Sequence, residues 1–131
     1  MRLVVNKLKQ FLADRLGVQA SVLTITSPNR PFILLIPQSD GPIQYESTSY
    51  LESLDVDVVA YCGDPDTAMD MLDKLTAVLL EADDKMLHIP GMNVVKVLLG
   101  GSRGVQPIAG EPNNYVARQN VKITTETDRR K

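Results

Sequence analysis

The residues with the most obvious chemical potential are acidic. Asp55 and Asp57 stand two apart in the alternating stretch Leu54-Asp55-Val56-Asp57-Val58-Val59-Ala60-Tyr61-Cys62. On a strand, that spacing puts both carboxylates on one face, as glycoside hydrolysis or cation binding would require. It is also what the polar side of any half-buried strand looks like, and the simpler account is a strand face. Asp64, Asp66, Asp70 and Asp73 form a second acidic group. Asp64 and Asp66 bracket Pro65 as an N-cap acid and a first-turn acid would, Asp70 and Asp73 fall on the flanks of the helix that follows, and the spacing of a calcium loop is missing. His88 and Cys62 are the only residues of their types. Neither has the partners that zinc or nucleophilic catalysis needs, so His88 reads as a loop residue and Cys62 as core. Gly100-Gly101-Ser102-Arg103-Gly104 suggests a phosphate cradle only loosely: it lacks the P-loop lysine, and a strand rather than a helix follows. A mobile loop is expected there. No catalytic residue, metal or cofactor follows from these patterns.

The elements that must position these residues centre on Leu51–Glu81. The period-two pattern through Cys62 is a strand, Gly63-Asp64-Pro65 is a turn and cap, and Ala68, Met71, Leu72, Leu75, Leu79 and Ala82 then fall on one helical stripe. Upstream, Val4, Leu8, Phe11, Leu12 and Leu16 predict a helix over 3–16, closed by Gly17. Val22, Leu23 and Ile25 suggest a weak strand. Phe32-Ile33-Leu34-Leu35-Ile36, bounded by Pro31 and Pro37, predicts a strand buried on both faces. Residues 38–49 read as a long polar loop, 92–99 as a strand, 100–114 as a second long loop, 115–125 as the last strand, and 127–131 as a flexible tail. The expected fold is α+β: a single domain over 1–131 with a mainly antiparallel four-stranded sheet and two helices packed on one face.

Composition narrows the classes. The 131 residues are 44% hydrophobic and 23% charged, with a net charge of −2, which offers no general attraction to nucleic acid or anionic membrane. A lone cysteine cannot form an internal disulfide, no run approaches membrane-spanning length, and charge interrupts the opening residues too early for a secretory signal. The expected compartment is the cytoplasm.

Lys96, Arg118 and Lys122 fall on strand positions that can share the face carrying Asp55 and Asp57. Cross-strand ion pairs would account for all five. Alternatively, that face lines a channel or meets another subunit.

The layout resembles the tail-terminator and minor capsid (tail-completion) proteins of long-tailed bacteriophages. The resemblance runs over nearly the whole chain: the opening helix, Pro31-Phe32-Ile33-Leu34-Leu35-Ile36-Pro37, a polar loop, Leu54–Tyr61, the helix after Asp64-Pro65, Val94-Val95-Lys96-Val97-Leu98, a Gly/Pro loop, and Arg118-Gln119-Asn120-Val121-Lys122-Ile123. It implies a structural protein rather than an enzyme. Such a protein forms a homo-oligomeric, typically hexameric ring on the head-proximal end of the tail tube, stops tube polymerisation and offers the surface that joins the head. The implied partners are the major tail protein and the head–tail connector proteins. DNA passes through the ring without specific binding, no membrane is involved, and the expected location is the virion tail, assembled in the host cytoplasm. A ring needs two different patches on each chain. Tyr45, Glu46 and Arg103, on the two long loops, are the expected subunit or tube contacts, with Lys96, Arg118 and Lys122 as a channel or interface face. The alternatives are a head-completion or neck adaptor of the same connector, or a small enzyme using Asp55 or Asp57.

Overall fold

The computed structural model describes residues 2–24, 31–40, 44–45, 49–82, 87, 92–111 and 113–128. Helix α1 (Arg2–Leu16) exists because Val4, Val5, Leu8, Phe11 and Leu12 recur at helical spacing and are all buried. Gly17 ends it as expected, with φ +67° and its N–H donated to the Ala13 carbonyl at 2.9 Å. Helix α2 (Pro65–Glu81) starts at Asp64, whose carboxylate accepts the Thr67 N–H at 2.8 Å and the Thr67 hydroxyl at 2.7 Å. These bonds to the charged form hold the Asp64 carboxyl below the usual carboxylate range, the Thr67 N–H being the main cause. Its stripe Ala68, Met71, Leu72, Leu75 and Leu79 is buried.

The strands are β1 (Gln19–Val22), β2 (Phe32–Asp40), β3 (Gln44–Tyr45), β4 (Ser49–Cys62), β5 (Met92–Pro107) and β6 (Tyr115–Asp128). They form one mixed six-stranded sheet in the order β1-β2-β4-β6-β5, with β3 paired to the start of β4. Only β1 and β2 run parallel; the other pairs are antiparallel. The α+β class is as expected, and the four-stranded antiparallel sheet is corrected to six mixed strands. β1 forms because its backbone pairs with Phe32–Leu35; it lies earlier than the weak strand expected around Val22, Leu23 and Ile25, since Leu23 has φ 62° and Ile25 lies outside the described residues.

Both expected loops contain strand. In 38–49, β2 continues to Asp40, and β3 covers Gln44–Tyr45. Pro37, which has no N–H to give, sits beside a register shift and beyond the reach of β1, where β2 has no partner on that side among the described residues. In 100–114, β5 runs on to Pro107 through a bulge between Leu99 and Arg103. The turn proper is 108–114, closed by the Ile108 N–H to the Asn114 carbonyl at 2.9 Å, with Gly110 and Asn113 in the left-handed region. Thr127 and Asp128, expected in the flexible tail, pair with Tyr50 and Ser49. Backbone pairing needs no apolar side chains, so polar and glycine-rich strand ends are invisible to hydrophobic periodicity.

One face of the sheet carries both helices. Ile33, Leu35, Leu54, Val56, Val58, Ala60, Cys62, Ala117, Val121 and Ile123 pack there with Leu8, Leu12, Leu72, Leu75 and Leu79 in one core. β2 is buried on both faces as predicted, because Phe32 and Leu34 are also buried on the helix-free side. There Phe32 stacks on Tyr61 with ring centroids 4.8 Å apart.

Candidate functional site

The ladder between β4 and β6 decides which side chains meet. Asp55 lies opposite Lys122, Asp57 opposite Asn120 and Val59 opposite Arg118, so all six share the helix-free face. Lys96 joins them through its pairing with Thr124. The shared face is as expected; the ion pairs are not found. Among the described residues, the ion pairs are Arg15–Glu81, Asp70–Lys74 and Asp73–Arg103, and none joins Asp55 or Asp57 to a lysine or arginine.

Instead, both carboxylates are gathered by Asn120. Its side-chain amide donates to Asp55 and, at 2.9 Å, to Asp57, with the Val56 carbonyl at 3.3 Å as a longer alternative. Two amide protons match two carboxylates, which a point-charge ammonium on a flexible stem cannot fix as well. Asn120 is only 7% exposed despite standing on the helix-free face. Its oxygen rests on Gly100, where a Cβ would overlap the Asn120 side chain. Gly100 is thus a place of close approach at the β5 bulge rather than part of a mobile loop.

The neighbouring Gln119 points to the opposite, helix-bearing face and is 1% exposed. Its amide donates to the Asn120 carbonyl at 2.8 Å and the Gly100 carbonyl at 3.2 Å. On α2, the Thr76 hydroxyl has one proton, given to the Leu72 carbonyl at 2.9 Å, with the Gln119 oxygen at 3.4 Å as the longer option. Arg103 donates from Nε to the Thr76 hydroxyl at 3.3 Å and lies 3.5 Å from Asp73. A polar seam therefore runs from Asp73 on α2, around the β5 bulge, to Asp55 and Asp57 on the far face. It satisfies the carbonyl that the bulge takes out of the ladder.

Arg103, an expected subunit or tube contact, pairs with Asp73 of its own chain while its side chain stays 45% exposed. Tyr45 lies in β3 opposite Tyr50. Glu46 and His88 lie outside the described residues. Cys62 is fully buried in the core, as expected. Arg118 stands between Val59 on β4 and Gly104 on β5, neither of which carries a polar side chain. The residues that the sequence did not single out are Asn120, Gln119 and Thr76, and Gly100 was weighed only as part of a loose phosphate cradle. Adjacent amides in an otherwise alternating strand were the available signal, because Asn is depleted in strands unless something holds it there.

Among the described residues no cluster of three or more histidine, cysteine, aspartate or glutamate side chains could hold a metal ion, and no helix is long and apolar enough to cross a membrane. The arrangement is that of a two-layer α+β protein whose sheet is crossed by a polar seam, buried at Gln119 and Asn120, and whose chemistry on the helix-free face is hydrogen bonding. No protein-family model matches this chain, and no curated protein does.

Proposed function

We propose that the protein is a structural component of a tailed bacteriophage, a tail terminator that forms a ring on the head-proximal end of the tail tube and presents the head-joining surface. The order of elements resembles that family. The observation that carries the assembly is the pair of unlike sheet edges. At one side, β1 is four residues long and is followed by Leu23, 65% exposed with φ 62°. At the other, β5 is sixteen residues long, has no outer partner among the described residues, and carries exposed Val95 and Leu98. A long edge with apolar side chains is a template for another chain. Two different edges are what a head-to-tail ring requires, whereas a two-fold dimer needs one patch used twice.

In this assembly the neighbours are further copies of the chain, the major tail protein and connector proteins, with DNA passing through unrecognised. The test is to purify the protein, measure its mass by light scattering across a concentration series, and image it alone and mixed with tail tubes. A closed ring at one end of the tubes supports the proposal. A monomer at every concentration, with no density on tube ends, rejects it.

A further inference from the structure

Among the described residues, Arg118 is a guanidinium without a hydrogen-bond or ion-pair partner. Its Nε is buried and makes no hydrogen bond, and among the described residues no carboxylate lies within ion-pair distance of it. A charged donor left in this state is costly, and the usual remedy in a ladder, a cross-strand carboxylate, is replaced by Val59 and Gly104. Asp57, the nearest acid along β4, is already held by Asn120. Because Gly104 has no side chain, a notch of about 140 Å³ opens over this arginine at the β5 edge, lined by Arg103, Gly104, Val105, Gln106 and Arg118.

We infer that this notch is a carboxylate-binding site, filled by an aspartate or glutamate side chain of another protein chain. A guanidinium offers two parallel donors to a carboxylate. The class of ligand follows from the surroundings. Asp55 and Asp57 share the Arg118 face, so an extended polyphosphate laid along that face would meet two carboxylates. A single acidic side chain reaching in from the edge avoids them. The site stands independently of the phage assignment.

The test is an NMR titration of the Arg118 side-chain Nε–Hε resonance in the full chain. One arm uses a short Gly/Asp peptide and the other a single-stranded oligonucleotide of equal charge, at the same ionic strength. The expected result is a saturable shift with the peptide and at least fivefold weaker binding of the oligonucleotide. Arg118→Gln should abolish the peptide response at neighbouring amides, and Arg118→Lys should weaken it severalfold. Gly104→Glu is the control that does not depend on removing the arginine. A Cβ at Gly104 meets nothing within 4 Å, so the new carboxylate can fill the notch from within, block the peptide and raise the melting temperature. No saturable shift, unchanged binding in Arg118→Gln or in Gly104→Glu, or oligonucleotide binding as tight as the peptide would each overturn the inference, the last pointing to nucleic acid.

Discussion

The two faces of the β4–β6 ladder are built from the same strands and obey different rules. On the helix side, Leu54, Val56, Val58 and Ala60 face Ile123, Val121, Gln119 and Ala117, and every one of these is buried. On the other side, Asp55, Asp57 and Val59 face Lys122, Asn120 and Arg118. The first face is held by area and tolerates exchanges of similar volume. The second has buried Val59 and Val116 and a Ser53–Thr124 hydrogen bond, but its carboxylates are held through one amide, so that part depends on single atoms. Gln119 is where the rules meet, a polar residue placed on the apolar face because the bulge in β5 leaves the Gly100 carbonyl in need of a donor.

The sharpest way to probe this contrast is to damage each face in turn. Leu75 is fully buried against the sheet, and Leu75→Ala should cost about 2–5 kcal/mol, read from denaturant midpoints. A loss no greater than that of a surface change would mean that the stripe is not packed on the sheet. On the other face, Gly100→Ala should cost about 1–3 kcal/mol by pushing a Cβ into Asn120. Asn120→Ala should cost a similar amount, about 1–3 kcal/mol, by leaving two half-buried carboxylates without their shared donor. The two changes act on the same contact, so the double variant should fall well short of the sum. Strict additivity would separate Gly100 from the seam.

Smaller effects lie at the ends of the seam and of α2. Asp64→Ala should lower the melting temperature at neutral pH. The cap is stabilising because the folded state holds the Asp64 carboxyl below its unfolded value. Its contribution is therefore complete above the usual carboxylate range and disappears as pH falls through the lowered folded-state value. Melting curves of wild type and variant should converge in acid, and a gap independent of pH would contradict the cap. Asp73→Asn should change stability least, by under about 1 kcal/mol, because the Asp73 and Arg103 side chains are 80% and 45% exposed.

Much of the layered fold was legible in the sequence. Both helices, the Asp64 cap, the buried β2 and the alternation of β4 follow from periodicity and punctuation, because apolar burial dictates them. The edge of the sheet was not legible. β1 exists through backbone pairing to β2, and Gly100-Gly101 imitates a loop while forming a bulge inside a paired strand. The candidate site was half legible. Alternation placed Asp55, Asp57, Arg118 and Lys122 on one face, but opposite charges on paired strands suggested ion pairs. Asn120 takes both carboxylates instead, a choice set by a register that only the folded ladder reveals. Arg103 was singled out as a subunit or tube contact, and its pairing with Asp73, brought near by α2, was not legible.

The proposal that this chain caps a tail tube is tested most directly by the distribution of tail lengths, measured by electron microscopy, in a lysate of a phage lacking its gene. The predicted result is overlong tails of variable length without attached heads, restored to one length when the wild-type chain is supplied. Tails of normal length in that lysate would contradict the terminator role, and normal tails beside separate, unjoined heads would assign the chain to the neck instead.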